Sequence, residues 1–153
     1  MPADSGVDID DDILHKFMYI PEKINKCIDL LAEYYLKDTG LKSYYIPYIL
    51  RIGKNDGISQ KELRDFLPFD KSRISTVVNE LIQTGLVTND GEGRNTSLHL
   101  TEKGLAAVSV SRMFFNITMQ EVFRVGEMND EIARKTAEFN EHLDSVMSKY
   151  GQK

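Results

Sequence analysis

The chain has little of what several large protein classes require. Cys27 is its single cysteine, which excludes an internal disulfide framework and is typical of a reducing cytoplasm. The three histidines are scattered, without a second ligand at metal spacing. No apolar run approaches the ~20 residues that span a bilayer, and the acidic start lacks the apolar segment of a signal peptide. The sequence therefore predicts a cytoplasmic protein with no membrane span, no metal and no cofactor.

Catalytic signatures are also missing. The chain has no glycine-rich phosphate loop, no nucleophile elbow and no carboxylate pair with an obvious cleft, so we predict that it is not an enzyme. The net charge of −5 argues at first against nucleic acid as a partner. The excess acid is unevenly spread, however, because residues 51–104 carry eight basic and eight acidic side chains. A neutral middle segment permits a local phosphate-binding patch.

Helical patterns occupy both ends of the chain. From Ile13 to Tyr34 the apolar residues recur at alternating steps of four and three, a helical stripe close to a heptad repeat. Pro21 interrupts this stripe, which predicts a break and a second helix that starts near the proline. Thr39 and Gly40 predict the end of that helix, and a third helix is predicted over roughly residues 44–52. A similar stripe runs through the last third of the chain.

The middle segment contains two helix-start signals in close succession. Ser59 and Glu62 form a capping box that opens a short helix, which must end before Pro68. Asp70 is the predicted N-cap of a second helix, which Gly85 ends. The apolar face of this helix follows the i, i+3, i+4, i+7, i+8 pattern and consists of Ile74, Val77, Val78, Leu81 and Ile82. Its opposite face is short and polar, with two cations in the first turn, and this suits base edges and phosphates in a major groove. A solvated helix face is the alternative.

The periodicity changes after Gly85. Leu86 and Val87 begin a predicted strand, the stretch 89-NDGEG-93 supplies turn residues, and residues 96–100 form a second strand. Thr101 is the predicted cap of the next helix. Helix, tight turn, helix and hairpin in this order make a winged helix-turn-helix. Arg94 then lies at the tip of the wing, where a cation can enter a minor groove, although an exposed loop arginine is the alternative.

These elements resemble the MarR family of winged-helix transcriptional regulators. The resemblance lies in 58-ISQKELRDFLPFDKSRISTVVNELIQTGLV-87, followed by Arg94 and 100-LTEKG-104. It implies that the helix after Asp70 is the recognition helix, that Arg94 is the wing arginine and that the terminal helices form a dimer interface. The chain departs from the family pattern in the wing, where Asn89 replaces a second arginine, Glu92 replaces an aspartate, and the turn is shorter. We therefore expect a short wing with one cation.

The predicted fold is mainly α-helical with a small β-hairpin wing, a winged helix-turn-helix flanked by N- and C-terminal dimerisation helices. Residues 1–12 are predicted to be an acidic, disordered N-terminus and residues 13–40 the N-terminal dimerisation helices. Residues 41–104 are the predicted DNA-binding domain, and residues 105–150 the C-terminal helices of the dimerisation region. The predicted contacts with double-stranded DNA are Ser59, Gln60, Lys71, Ser72, Arg73, Ser75, Thr76, Asn79 and Arg94.

The terminal stripes and the aromatic residues give two further hypotheses. Two apolar stripes at the ends of the chain can pack on each other or form a homodimer, and we favour the homodimer. Its predicted interface consists of Ile13, Phe17, Ile24, Ile132, Phe139, Leu143 and Val146. The candidate pocket for a small aromatic effector consists of Tyr44, Tyr45, Tyr48 and Phe114, with plain aromatic packing as the alternative. Cys27 is predicted to be a buried, inert thiol on the N-terminal stripe.

Two function classes follow from the sequence. The first is a dimeric, sequence-specific DNA-binding regulator, a repressor that binds a palindromic operator and is released by a small molecule. The second is a winged-helix module that binds another protein without specific DNA binding, a reading that the acidic balance and the short wing support. Duplex DNA binding with a steep salt dependence would distinguish the first class from the second.

Overall fold

The computed structural model of the protein describes residues 11–151. Helix α1 covers Asp11–Met18 and helix α2 covers Ile20–Tyr35, with Pro21 in the first turn of α2. The predicted break near Pro21 is confirmed, since α1 ends at Met18 and α2 begins at Ile20. Proline is tolerated in the first turn of a helix because the backbone N–H that it lacks would have no partner there. Helix α2 ends at Tyr35, before the predicted stop at Thr39. Most of the predicted disordered N-terminus lies outside the described residues, but Asp11 and Asp12 belong to α1, so that prediction is wrong for them.

The three helices of the helix-turn-helix unit follow. A short 3₁₀ helix at Ser43–Tyr45 leads into α3 at Ile46–Lys54, with Pro47 in its first turn as predicted. Helix α4 covers Gln60–Phe66 and helix α5 covers Lys71–Gln83. Both predicted N-caps are confirmed, since Ser59 Oγ accepts from the N–H of Glu62 at 3.1 Å and Asp70 Oδ1 from that of Arg73 at 2.8 Å. Each cap satisfies a backbone donor that the first helical turn leaves unpaired.

The hairpin follows α5 through Gly85, which ends the helix with a positive φ of 77°. Strand β1 covers Val87–Asn89 and pairs antiparallel with strand β2 at Leu98–Leu100. The second strand starts two residues later than predicted. Ile58, between α3 and α4, forms a bridge to Leu98, and this bridge fastens the base of the wing to the helix-turn-helix. Helix α6 covers Glu102–Glu121, and Thr101 Oγ1 accepts from the N–H of Gly104 at 3.0 Å, as its predicted capping role requires.

The main core lies inside this winged unit. The inner faces of α3, α4 and α5 meet the hairpin there, and Ile49, Ile52, Leu63 and Ile74 have no exposed surface. A smaller cluster joins Leu36, Ile46 and Phe114, with Ile28 and Leu31 of α2 packed against it. The predicted apolar face of α5 is buried at Ile74, Val77, Val78 and Leu81. It is wrong at Ile82, which is 37% exposed and does not belong to the core cluster.

Helix α7 covers Asp130–Tyr150, and Asn129 caps it by accepting from the N–H of Ile132 at 2.9 Å. The chain divides into two compact units, with the boundary between Thr118 and Met119. The predicted fold class, helices with a small β-hairpin wing, is confirmed. Among the described residues, no helix is long and apolar enough to cross a membrane. Cys27 is exposed, so the prediction of a buried thiol is wrong for the single chain.

Candidate nucleic-acid interface

The polar face of α5 is open to solvent. Lys71, Ser72 and Arg73 in its first turn are exposed, and so are Thr76 and Asn79, whereas Ser75 is half-buried. This arrangement follows from the packing, because Ile74, Val77, Val78 and Leu81 on the opposite face are buried in the core. An amphipathic helix with short polar side chains and two cations at its start has the chemistry that base edges and phosphates require.

Arg73 is held in place by an aromatic ring. Its guanidinium carbon lies 4.0 Å from the centroid of the Phe69 ring, in the turn between α4 and α5. Phe69 in turn stacks on the buried Tyr48, with 6.3 Å between ring centroids. A guanidinium over a ring face gains cation–π attraction and loses rotational freedom. Arg73 is therefore oriented before any partner arrives.

The start of α4 is tied to the wing. Ser59 and Gln60, both predicted to contact DNA, are half-buried. The hydroxyl of Ser59 accepts the capping hydrogen bond, and the backbone N–H of Gln60 donates to Thr96 Oγ1 at 2.7 Å. The Gln60 side chain remains available to a partner, while Ser59 already has a structural role at the cap.

The wing is a tight turn with Arg94 at its end. Glu92 and Asn95 form an antiparallel bridge around Gly93 and Arg94, and Arg94 is exposed. The predicted position of Arg94 at the tip is confirmed, and its contact with DNA remains a prediction. Gly91 is required beside the turn, because a Cβ there would overlap the carbonyl oxygen of Asn95.

Asn89 has a role in the wing that an arginine could not perform. Its Oδ1 accepts two backbone hydrogen bonds, from Gly91 at 2.9 Å and from Ser97 at 2.9 Å. An arginine side chain has donors only and could accept neither bond. The residue that makes this wing less basic therefore also closes its turn.

Two polar clusters were missed by the sequence reasoning. The first surrounds His99 on β2, whose Nδ1 lies 2.8 Å from Asp56 Oδ1 and whose Nε2 lies 3.1 Å from Asp90 Oδ2. Nε2 also lies 3.1 Å from Ser97 Oγ. The sequence offered only an alternating Leu–His–Leu run, and nothing in it indicates a partner 43 positions away in the chain.

The second missed cluster anchors the C-terminal half of α5. Glu80 accepts hydrogen bonds from the phenol of Tyr44 at 2.7 Å and from that of Tyr45 at 3.0 Å. Lys42 lies 3.9 Å from the same carboxylate oxygen and donates to Tyr44 at 3.1 Å. The hydrogen bonds from Tyr44 and Tyr45 hold the pKa of Glu80 below its usual range. Burial, together with the hydrogen bond to Glu80, raises the pKa of Tyr45 to about 12.

The residues of the predicted effector pocket are mostly core residues. Tyr45 and Tyr48 are 2% and 1% exposed in the main core, and Phe114 is buried in the smaller cluster. Tyr44 is half-buried, with its phenol on Glu80. These positions favour the alternative of aromatic packing.

An apolar groove lies near this core, and it involves other residues. It has a volume of about 470 Å³ and is lined by Ile46, Pro47, Leu50, Arg51, Lys54, Phe66 and Phe115. The guanidinium of Arg51 lies 3.7 Å from the centroid of the Phe66 ring. Its buried Nε has no hydrogen-bond partner within the described part of the chain. A groove with apolar walls and a cation fits an aromatic anion.

The predicted dimer residues are largely uncovered. Ile13 is 60% exposed and Phe17 69% exposed, while Ile24 is half-buried. On α7, Phe139 and Leu143 are 63% and 43% exposed, Val146 is exposed too, and Ile132 is half-buried. Large apolar side chains are usually buried inside proteins, so this exposure on a single chain is high.

Comparison with known proteins supports the resemblance seen in the sequence. The MarR family model matches residues 39–94, from the end of the N-terminal helices to the wing tip. No curated protein sequence matches the chain. A MarR transcriptional regulator from Methanosarcina mazei Go1 is 23% identical, with a TM-score of 0.64 and 94% of each chain covered.

Two further solved structures carry a bound partner. A putative MarR family regulator from Listeria monocytogenes, complexed with a 26mer DNA, is 24% identical with a TM-score of 0.63; 92% of this chain and 95% of that chain are covered. The PcaV transcriptional regulator from Streptomyces coelicolor, in complex with its natural ligand, is 21% identical with a TM-score of 0.67; the coverage is 84% and 92%. At these identities the likeness establishes the fold, and the family match of the winged segment confirms the predicted resemblance.

Proposed function

We propose that this chain, whose winged segment matches the MarR family and whose fold is that of MarR regulators, is a dimeric transcriptional repressor that binds a palindromic operator. Helix α5 enters the major groove, and the wing approaches the minor groove with Arg94. The observation that carries the proposal is the exposed polar face of α5, with Arg73 oriented over Phe69, in the same compact unit as an exposed Arg94. The regulator from Listeria monocytogenes was crystallised with DNA on this fold.

The proposal is tested with duplex DNA from the region beside the protein's own gene that contains an inverted repeat. Fluorescence anisotropy titrations at several salt concentrations should show tight binding that weakens steeply as salt rises, since phosphate contacts release counterions. A weak, salt-insensitive interaction with every duplex would instead support the winged-helix module that binds another protein.

Removal of the wing cation tests the second element of the interface. Arg94→Ala should weaken binding to operator and to A·T-rich non-operator DNA alike, because a wing arginine reads groove width and backbone charge. The slope of log K against log salt should become shallower by about one unit. Arg134→Ala, which removes one exposed cation from α7, is the matched control and should leave the slope unchanged. An unchanged slope for Arg94→Ala would show that the short wing does not reach the DNA.

The dimer is proposed because the apolar stripes of α1 and α7 are exposed on a single chain. A second copy would cover them, and the two recognition helices would then lie about 34–36 Å apart on successive major grooves. Sedimentation at micromolar concentration should give a dimer. Leu143→Glu should give monomers or aggregates, since a buried unpaired carboxylate costs several kcal/mol.

A matched variant separates the stripe from the helix that carries it. Ser148→Glu adds the same charge to the exposed side of α7 opposite Leu143 and should leave the dimer intact. A wild-type monomer, or a dimer that tolerates Leu143→Glu, would contradict the proposed interface.

The groove beside Arg51 is the site that we propose for a releasing effector. The PcaV regulator was crystallised with a natural ligand on a related fold. The apolar lining of the groove and the unpaired Nε of Arg51 favour a small aromatic carboxylate. Calorimetry with benzoate-type compounds should detect binding that Arg51→Gln weakens and that Tyr44→Phe, outside the groove, does not. Equal binding to all three proteins would place the ligand elsewhere.

A further inference from the structure

One flank of α5 is attached to aromatic side chains at two points. Near the start of the helix, the guanidinium of Arg73 lies over the Phe69 ring. Near its end, the carboxylate of Glu80 accepts hydrogen bonds from the phenols of Tyr44 and Tyr45, which lie in the short 3₁₀ helix before α3. Seven residues make about two turns of an α-helix, so Arg73 and Glu80 lie on the same flank. These contacts hold two places along one side of the helix.

The apolar side of α5 gives a different kind of constraint. Its buried side chains form one stripe, which consists of Ile74, Val77, Val78 and Leu81. Apolar attraction is non-directional, so it holds this stripe against the core and opposes a small rotation of the helix only through packing. A hydrogen bond weakens steeply when its angle departs from linearity. The bonds to Glu80 therefore supply the directional constraint in the C-terminal half of α5, where Ile82 on the other flank is exposed.

Both phenols donate to a single carboxylate oxygen. The Tyr44 hydroxyl lies 2.7 Å and the Tyr45 hydroxyl 3.0 Å from Oε2 of Glu80. The two rings are in edge-to-face contact, with 5.0 Å between their centroids, and Tyr45 is buried in the main core. Lys42 donates to the Tyr44 hydroxyl at 3.1 Å. The carboxylate of Glu80 is therefore held by donors that the core keeps in place.

We propose that Glu80 is a positioning residue that sets the rotation of α5 about its axis and with it the preference for the operator, a role that rests on the proposed function. Side chains reach about 5–6 Å from the axis of a helix, so a rotation of about 10° moves their tips by about 1 Å. Such a shift breaks hydrogen bonds to base edges, which span about 2.7–3.2 Å, whereas the attraction between a cation and a phosphate falls slowly with distance. A misplaced α5 therefore loses operator preference before it loses affinity for DNA in general.

The first experiment needs no DNA. Residual dipolar couplings of backbone amides vary periodically along a helix, and the phase of that variation reports the rotation of the helix about its axis. In the wild type, one alignment should fit α3, α5 and the two strands. In Tyr44→Phe/Tyr45→Phe, which removes both donors and keeps both rings, the couplings of α5 should depart from the alignment that fits the other elements. Tyr19→Phe, which removes a hydroxyl from an exposed tyrosine between α1 and α2, is the control and should match the wild type.

The second experiment measures operator preference as the ratio of the affinities for operator and scrambled duplexes, by anisotropy titration. In Tyr44→Phe/Tyr45→Phe this ratio should fall roughly three- to tenfold, as expected when a base contact is weakened and not lost. The affinity for the scrambled duplex and the slope of log K against log salt should stay at their wild-type values, since the phosphate contacts remain. A protein that is merely less stable would lose affinity for both duplexes equally and keep the ratio.

Two substitutions of Glu80 separate positioning from stability. Glu80→Gln keeps an oxygen with two lone pairs, which can accept from both phenols, so this variant should retain most of the operator preference although it is less stable at pH 7. Glu80→Met has a similar shape without an amide or carboxylate oxygen and should lose the preference as the double tyrosine variant does. Should the double tyrosine variant fail to fold, Glu80→Met and the single Tyr44→Phe still test the role.

The outcomes distinguish the role of Glu80 from the proposed function. Couplings of α5 that change in a protein that binds no duplex would support the positioning of the helix and contradict the proposed function. Operator binding with a wild-type affinity ratio in Glu80→Met and in the double tyrosine variant would overturn the role of Glu80 and leave the proposed function standing. Unchanged α5 couplings in the double tyrosine variant would overturn the role too, and so would a Glu80→Gln protein that loses the preference as fully as Glu80→Met.

Discussion

Arg73 offers the sharpest test of the proposed recognition helix. Arg73 lies in the first turn of α5 and is exposed, and its guanidinium carbon is 4.0 Å from the centroid of the Phe69 ring. Arg73→Ala removes both the donors that would reach a base edge and the orientation that the ring provides. Arg73→Lys keeps the charge but loses the planar fork that makes bidentate contact with guanine.

The magnitudes of the two effects can be separated. A bidentate contact with a base is worth about 1–3 kcal/mol, so Arg73→Ala should weaken operator binding roughly 5- to 150-fold. Orientation by the ring is worth about 0.5–1 kcal/mol at an exposed site, so Phe69→Leu should weaken binding roughly two- to fivefold. Arg73→Lys should retain binding to random DNA while it loses preference for the operator.

The assay is a paired titration of operator and scrambled duplexes, by anisotropy, with thermal melting of each variant as a check on folding. A base contact predicts that Arg73→Ala loses more affinity for the operator than for the scrambled duplex. Equal losses on both duplexes would assign Arg73 to phosphate, because backbone contacts carry no sequence information. No loss on either duplex would remove Arg73 from the interface and refute the reasoning from its orientation.

Three further predictions concern stability. Gly104→Ala should lower the free energy of unfolding by about 1–3 kcal/mol in urea, because the added Cβ overlaps the carbonyl oxygen of Leu86. Gly126→Ala is the control and should change this free energy little, since a Cβ there meets open space. Glu80→Gln should be less stable than the wild type at pH 7 and should lose less of its stability on acidification. Because the pKa of Glu80 is lowered in the folded state, its carboxylate stabilises the fold above the ordinary pKa of 4.5, and this stability disappears as the pH falls through the folded-state pKa. Parallel profiles of stability against pH for the two proteins would contradict this role. Asn89→Arg should lower the melting temperature, since two backbone N–H groups lose their acceptor, and an unchanged melting temperature would contradict the wing-closing role of Asn89.

The sequence by itself determined the elements whose causes are local. The capping side chains of Ser59 and Asp70 each accept a hydrogen bond from a backbone N–H three residues later in the chain. The end of α5 at Gly85 needs only a residue that adopts a positive φ. Such interactions can be read from spacing because the helix itself brings the partners together. The order of these elements was enough to predict the winged helix-turn-helix and the position of Arg94 at its tip.

Tertiary structure decided everything that depends on partners distant in the chain. Tyr45 and Tyr48 became core residues, and Ile82 became exposed, because burial depends on which element covers a face and not on the face itself. Asp56 and His99 lie 43 positions apart, and Tyr44 and Glu80 lie 36 apart. No local pattern reports such pairs, because the packing of the hairpin and of α5 against the rest of the winged unit brings them together.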